Sequence, residues 1–208
     1  RKMDLVYNGV PVEKYKLEDV TRFESPVTRM LLAGRISVQK GQMDAIKAVE
    51  LLMQRGIDTV LLTLVGQGET KEYLEYVKSY VKEHELEQKI CILEHHDDLR
   101  ELRRQCDIGL TCSKKEAFGR VTVENMLAKM LVIGANTGGT LEIVEDGYNG
   151  LLYEEGNPES LAGRIEYAME HKMDMQILLD RGYLDSINRF SSTTLIESIL
   201  NLYKKIIF

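Results

Sequence analysis

Residues 107–136 read DIGLTCSKKEAFGRVTVENMLAKMLVIGAN, and this stretch contains one complete structural unit. Residues 108–112 and 131–135 are short apolar runs with the length of buried strands. Residues 121–130 lie between them and are predicted to form a helix. A strand, a helix and a second strand in this order are typical of a parallel β-sheet, because a crossover helix joins the parallel neighbours.

The same alternation continues on both sides of this unit. Further strands are predicted at 30–33, 59–65, 89–93 and 150–153, and further helices over 97–105, over 141–144 and after Gly41, Gly68 and Asn157. The strands are apolar without strict alternation, which favours a sheet with helices on both faces. The sequence therefore predicts the α/β class, with a Rossmann-like parallel sheet flanked by helices.

The two ends of the chain differ from this pattern. Residues 1–27 contain the turn-forming pair Asn8-Gly9 and lack a clear period, so we interpret them as an interdomain linker. Residues 28–208 are predicted to form the α/β domain, in which 190–208 are a C-terminal helix. We interpret the apolar stripe of that helix as a docking face for another domain. Peripheral contact with a membrane is the weaker alternative.

Composition disfavours several kinds of function. The 208 residues include 27 Lys and Arg against 33 Asp and Glu, a net charge of -6. This balance disfavours a nucleic-acid-binding protein that neutralises many phosphates. Three cysteines without CxxC spacing exclude a disulfide framework and a cysteine-based zinc site, and they fit a reducing, cytoplasmic compartment. Because the sequence opens on Arg1 and Lys2 rather than Met, we expect it to be part of a longer protein.

Ligands of open parallel sheets bind at the carboxyl ends of the strands, and glycines and charged residues follow several predicted strands here. Gly34, Arg35 and Lys40 follow the first strand, and Glu116 follows the fourth. An arginine offers a planar fork and a lysine a mobile point charge, and together they can bind a diphosphate. We therefore predict an anion-binding site at this edge of the sheet.

Residues 116–124 are the most informative segment. The N–H groups of residues 118–121 are predicted to point out of a helix N-terminus, which is a favourable place for a phosphate. Glu124 falls in the second turn of that helix, where its carboxylate can accept hydrogen bonds from a diol such as a ribose.

Two other patterns point to different chemistry. Gly66 and Gly68 follow the second strand, but no glycine completes the G-x-G-x-x-G fingerprint. A tight turn is therefore favoured over a nicotinamide-dependent enzyme. Residues 95–98 read HHDD, which raises the possibility of a metal site. Adjacent side chains seldom converge on one ion, so we predict no bound metal.

Several segments together resemble one family. They read GRISVQKG at 34–41, EAFGRVTVE at 116–124, TGGTLE at 137–142 and GYNGLL at 147–152. In this order they resemble the C-terminal, donor-binding domain of the retaining GT-B glycosyltransferases of group 1. The resemblance covers nearly the whole chain from Tyr7 onward. It implies one half of a GT-B fold, with the N-terminal acceptor-binding domain absent from this sequence.

The resemblance implies a nucleotide-sugar donor, UDP- or GDP-linked, with no metal or other cofactor required. Arg35 and Lys40 would bind the diphosphate and stabilise the departing nucleotide. Glu116 would contact hydroxyls of the donor sugar, and Glu124 would hold the ribose. The remaining implied contacts are Gly34 and the backbone of Phe118, Gly119, Arg120 and Val121 at the sugar and distal phosphate, and the loop of Leu93, Glu94 and His95 at the nucleobase.

The sequence departs from the family pattern in three places. Residues 66–69 read GQGE without the proline that usually follows. Glu94 and His95 stand in a loop where a glycine is usual, and Ala117 replaces a frequent proline. Without the acceptor domain, the chain is expected to bind a donor but not to transfer a sugar. A non-catalytic nucleotide-sugar sensor is the alternative. For the longer protein, the family implies surface polysaccharide or glycolipid synthesis in the cytoplasm, at the inner face of a membrane.

Overall fold

The computed structural model describes residues 4–95 and 98–207 and contains a six-stranded parallel sheet. The strands are β1 (Thr28–Ala33), β2 (Val60–Val65), β3 (Ile90–Leu93), β4 (Ile108–Thr111), β5 (Leu131–Ala135) and β6 (Leu151–Tyr153). The helices are α1 (Val12–Tyr15), α2 (Gln42–Gln54), α3 (Lys71–Glu83), α4 (Arg100–Gln105), α5 (Arg120–Leu127), α6 (Thr140–Ile143), α7 (Pro158–Glu170), α8 (Lys172–Phe190) and α9 (Ser192–Ile207). The predicted α/β class, with helices flanking a parallel sheet, is confirmed.

The strand order is β3-β2-β1-β4-β5-β6, so the winding direction reverses between β1 and β4. β1 pairs with β2 along its whole length and with β4 at Met30 opposite Ile108. The chain moves outward from β1 to β3 on one side and from β4 to β6 on the other. A doubly wound sheet binds its ligands in the crevice that opens at such a reversal, beyond the carboxyl ends of the strands.

Helices cover both faces of the sheet, which explains why the strands are apolar throughout. Met30 and Leu32 of β1 pack into a cluster with α2, α3 and α7. Leu31 and Ala33 point the other way and pack near the end of α5, against Ala128. All four strand residues are buried. Successive strand residues face opposite sides, so an uninterrupted apolar run requires cover on both.

The helix predicted over 121–130 is shorter than expected and ends at Leu127. Lys129 adopts left-handed backbone geometry with a φ of 53°, and its N–H donates to the Met126 carbonyl at 2.9 Å. A left-handed residue that closes the last turn is a common helix terminator. The reversal lets the chain enter β5 immediately afterwards.

The C-terminal helix predicted from residue 190 begins at Ser192, because the N-terminal segment interrupts it. The Val10 N–H donates to the Phe190 carbonyl at 2.8 Å, and the Ser192 N–H donates to the Val10 carbonyl at 3.1 Å. Ser191 between them is extended. Within residues 4–95 and 98–207, none of the helices is both long enough and apolar enough to cross a membrane.

Residues 4–27, which fall within the predicted linker, pack on the domain. The buried Arg22 guanidinium donates to four backbone carbonyls at the ends of α4 and α5. They belong to Arg104 at 2.8 Å, Cys106 at 2.6 Å, Ala128 at 2.6 Å and Lys129 at 3.0 Å. Carbonyls at a helix C-terminus carry partial negative charge, which suits a cation. Burial lowers the pKa of Arg22 to about 10, so it is charged at neutral pH.

Candidate functional site

A pocket of about 320 Å³ opens at the carboxyl ends of β1 and β2. We call it the β1–β4 pocket, because the end of β1 and the helix that follows β4 both contribute to its lining. Its lining residues are Ala33, Gly34, Arg35, Val65, Gly66, Gln67, His95, Leu99, Arg103, Val121 and Glu124. Among these are five residues that the sequence predicts to bind ligand. They are Gly34, Arg35, His95, Val121 and Glu124. The structure therefore brings together residues from the first, third and fourth strand ends.

Close backbone contact shapes the floor of this pocket. Gly66 has a φ of 154°, and a Cβ on it would lie 2.0 Å from the Gly34 carbonyl oxygen. No side chain larger than hydrogen fits at that separation. Gly66 thus lets the loops after β1 and β2 touch, which agrees with the interpretation of this glycine pair as a tight turn.

Glu124 lies on α5, and its side chain is only 10% exposed. Arg103 donates from Nη2 to Glu124 Oε2 at 2.7 Å and from Nε to Asn125 Oδ1 at 3.2 Å. Arg120 donates to Glu124 Oε1 at 3.3 Å. Burial lowers the pKa of Arg103, and the charge of Glu124 opposes that effect. A carboxylate has about four acceptor positions, so Glu124 can still accept from a diol.

Lys40 and Glu116 form an ion pair across the reversal of the sheet. Lys40 Nζ lies 2.7 Å from Glu116 Oε2, and Ser113 Oγ donates to the same oxygen at 2.9 Å. The two charged side chains are 33% and 21% exposed. A small cavity of about 20 Å³ beside them is also lined by Gly119 and Val121. Lys40, the second cation predicted to bind the diphosphate, therefore lies next to the start of α5 but is paired with the Glu116 carboxylate.

Arg35 is more exposed than Lys40. Its guanidinium donates to Glu69 Oε1 at 3.2 Å, and the two side chains are 66% and 47% exposed. Exposed ion pairs contribute little free energy, so Arg35 can exchange Glu69 for an anionic ligand in the pocket at small cost.

The N-terminus of α5 faces the same region, and glycines build the turn that leads into it. Gly119 precedes the helix with a left-handed φ of 92°. The Gly139 N–H donates to the Glu116 carbonyl at 2.7 Å. A Cβ on Gly138 would lie 2.5 Å from that carbonyl oxygen. The loop after β5 thus supports the loop after β4, and the first N–H groups of α5 are the groups that a helix leaves without an internal partner.

The Phe118 side chain points away from this site. Its ring lies 6.2 Å from the Tyr7 ring and 5.7 Å from the Phe190 ring, between centroids. The aromatic group anchors the loop to the N-terminal segment and to α8. Any contact of Phe118 with a ligand therefore falls to its backbone, as the resemblance implies.

The loop after β3 is divided between core and surface. Leu93 is half-buried and packs in an apolar cluster with Leu99 and Val121. Glu94 is exposed, and His95 lines the β1–β4 pocket. The predicted nucleobase loop thus borders the pocket through one of its three residues.

The rest of the HHDD segment bears on two further predictions. His96 and Asp97 lie outside the described residues, and so does the predicted start of the helix over 97–105, which appears from Arg100 onward. Among the residues that the structure describes, no group of three or more His, Cys, Asp or Glu side chains is arranged to hold a metal ion. Binding without a metal stays a prediction.

Arg103 is a charged pocket residue that the sequence reasoning missed. It belongs to a short charged helix, RELRRQ, in which three arginines look equivalent. The structure separates them, because the Arg103 side chain is 3% exposed whereas that of Arg104 is 44% exposed. Leu99 lies four positions before Arg103 and Cys106 three positions after it, so on a helix they share a face with Arg103. This spacing is the signal that could have distinguished Arg103 from the other two arginines.

The fold defines a class of protein first: a doubly wound α/β domain, here with Arg35, Lys40 and Glu124 near the reversal of its sheet. The sequence then matches the family model of glycosyl transferases group 1 over residues 15–183. The chain belongs to this family. It spans about half the length of the curated relatives it matches.

Three similar proteins illustrate the relationship. The capsular polysaccharide biosynthesis glycosyltransferase CapM of Staphylococcus aureus is 22% identical over 94% of this chain and 52% of its own. HepE from Anabaena is 25% identical in sequence to this chain, and its crystal structures with UDP and with UDP-glucose give TM-scores of 0.88 and 0.86. Each match covers 97% of this chain and 57% of the HepE chain. The C-terminal domain of a group 1 glycosyl transferase protein from Francisella tularensis shares the fold, with 22% identity and a TM-score of 0.77. The match covers 88% of this chain and 100% of that domain. The chain corresponds to the C-terminal half of a GT-B glycosyltransferase.

Proposed function

We propose that this chain is the donor-binding half of a retaining glycosyltransferase and that its ligand is a UDP-linked sugar. The observation that carries the proposal is the convergence of Arg35, Lys40, Glu124 and the N-terminus of α5 on one edge of the sheet. The UDP and UDP-glucose complexes of HepE support the choice of uridine over guanosine.

The ribose is proposed to lie against Glu124. This carboxylate pairs with Arg103 and lines the pocket, and it has acceptor positions that these contacts leave available. Hydroxyl groups that donate to a charged acceptor form stronger hydrogen bonds than neutral pairs. The nucleobase then extends toward His95 and the loop after β3.

The diphosphate is proposed to lie between Arg35, Lys40 and the first N–H groups of α5. When the sugar–phosphate bond breaks, negative charge develops on the phosphate oxygen that leaves. Fixed cations and a helix N-terminus stabilise that charge without a large reorganisation at the moment of reaction. Because this chain supplies the positive charge itself, we propose that the donor binds without a metal ion.

Glu116 is proposed to accept hydrogen bonds from hydroxyls of the donor sugar, since it lies between Lys40 and the turn before α5. The acceptor is proposed to approach from the half of the protein that this chain does not include. Attack on the face that the nucleotide leaves would retain the configuration of the sugar. We place the complete protein in the cytoplasm, in surface polysaccharide or glycolipid synthesis.

Isothermal titration of this chain with UDP, UDP-glucose, GDP, ADP and NAD, with and without EDTA, tests the proposal. We expect the affinities for UDP and for UDP-glucose to be unchanged by EDTA. We expect NAD not to bind. Glu124→Gln should weaken UDP binding. The matched control Glu101→Gln changes an exposed carboxylate on α4 and should not. The proposed function would be overturned if NAD binds, or if none of the nucleoside diphosphates binds.

A further inference from the structure

Arg103 links three separate elements of the domain at the wall of the β1–β4 pocket. It lies on α4, it donates to Glu124 and Asn125 of α5, and its guanidinium carbon is 5.2 Å from the centre of the Tyr15 ring in α1. A cation within about 6 Å of an aromatic ring centre is attracted to the ring. Tyr15 is buried and belongs to the segment that precedes the sheet.

The geometry of Arg103 is that of a support for Glu124. Two of its N–H groups are directed to two adjacent residues of α5, which fixes the plane of the guanidinium. Arg120, the other partner of Glu124, is 64% exposed and 3.3 Å away, so it holds the carboxylate less firmly. A side chain that acts as an acceptor in a binding site needs such support to keep its rotamer and its charge.

We propose that Arg103 is a positioning residue that fixes the Glu124 carboxylate toward the ribose hydroxyls of the donor, and that Tyr15 holds Arg103 in place. This inference rests on the proposed function. It adds that ribose recognition depends on the segment before β1, because Tyr15 of that segment contacts the Arg103 guanidinium.

The test compares the dissociation constants of UDP and 2′,3′-dideoxy-UDP, which lacks the hydroxyls that Glu124 is proposed to accept. For the unmodified chain we expect UDP to bind about tenfold more tightly or better, the size of one good hydrogen bond to a charged group. Glu124→Gln should reduce that ratio. A purely structural role of Arg103 would weaken both ligands equally and leave the ratio unchanged.

Three variants of α4 then examine Arg103. Arg103→Met should bring the ratio of the two dissociation constants close to one. Arg103→Lys keeps the charge but lacks the planar fork that holds Glu124 and Asn125 in a fixed geometry, so it should give an intermediate ratio. Arg104→Met removes the same charge from the neighbouring exposed position and should keep the full ratio.

Tyr15 is tested with a matched pair. Tyr15→Phe keeps the aromatic face and should keep the ratio, whereas Tyr15→Leu removes it and should lower the ratio severalfold. If Arg103→Met does not fold, Arg103→Lys and Tyr15→Leu decide the matter.

The outcomes separate this inference from the proposed function. If the unmodified chain binds no UDP, or if Glu124→Gln keeps the ratio, the ribose assignment itself fails. If Glu124→Gln lowers the ratio but Arg103→Lys and Tyr15→Leu both keep it, the positioning role of Arg103 is refuted and the proposed function stands.

Discussion

Lys40 Nζ lies 2.7 Å from Glu116 Oε2 and thereby connects the loop after β1 with the loop after β4. The cation proposed for the diphosphate is thus paired with the carboxylate proposed for the sugar. A donor that enters this site must compete with Glu116 for Lys40. The pair joins two opposite charges that lie 76 positions apart in the sequence.

Glu116→Gln should therefore separate nucleotide binding from sugar binding. The neutral side chain releases Lys40, so the affinity for UDP should rise about threefold, in keeping with a partly exposed ion pair worth under about 1 kcal/mol. The additional affinity that UDP-glucose gains over UDP should fall. Titration of both ligands measures the two effects, and a loss of UDP affinity would contradict the assigned role of Glu116.

Arg35→Met should weaken UDP binding about tenfold and leave uridine binding unchanged. The guanidinium is proposed to form charge-assisted hydrogen bonds to phosphate oxygens, which uridine lacks. Arg164→Met, a charge removal at an ion pair with Asp146, is the control. Equal losses for UDP and uridine would show that Arg35 does not act on the phosphates.

The pairing of Arg103 with Glu124 also predicts a pattern of stability. Arg103→Met removes the buried partner of Glu124 and leaves only the exposed Arg120 beside this carboxylate, so it should lower the free energy of unfolding by about 3–5 kcal/mol. The double variant Arg103→Met/Glu124→Gln removes both charges and should recover much of that loss. Urea unfolding of the single and double variants measures the coupling. Strictly additive losses would mean that the two side chains do not stabilise each other.

Gly66→Ala should be strongly destabilising, whereas Gly163→Ala should stabilise the protein. A Cβ on Gly66 would collide with the Gly34 carbonyl oxygen, and its φ of 154° disfavours alanine. We expect a loss of about 1–3 kcal/mol or more. Gly163 lies inside α7 with open space around it, so alanine should add roughly 0.5–1 kcal/mol. Thermal unfolding compares the two, and a neutral Gly66→Ala would refute the tight contact.

Asp44 predicts a dependence of stability on pH. Burial raises the pKa of this carboxyl above its ordinary value of 3.8, and its hydrogen bond from Tyr153 opposes that effect. Because the folded state favours the protonated form, the contribution of Asp44 to stability is largest below pH 3.8 and is lost as the pH rises through the folded pKa. The free energy of unfolding of Asp44→Asn, relative to that of the unmodified chain, should therefore increase as the pH rises from acidic to neutral. A constant difference in denaturant midpoint across that range would exclude this titration.

Much of the fold was accessible from the sequence, because its strands are apolar on both faces and helical patterns separate them. Residues 131–135, for example, are predicted as a strand with the observed bounds. The end of α5 was not predictable in the same way. Lys129 stops the helix with a left-handed conformation that its identity does not reveal.

The candidate site was predicted as a set of ligand-binding residues but not as a network. Strand-end placement identified Arg35, Lys40 and Glu124, since the carboxyl ends of parallel strands share one edge of the sheet. The partners of these side chains come from distant parts of the chain. The burial of Arg103 against Glu124, and the cover of Tyr15 over it, depend on how α1, α4 and α5 pack together.

Amide NMR of the chain during titration with UDP tests the central claim most directly. We predict that the largest chemical-shift changes fall on Gly34, Arg35 and residues 119–121, with smaller changes around Glu124. UDP binding that instead shifts amides of the groove between α2, α3 and α7, where Glu50 and Tyr80 lie, would contradict the account. The absence of any shift at saturating UDP would do the same.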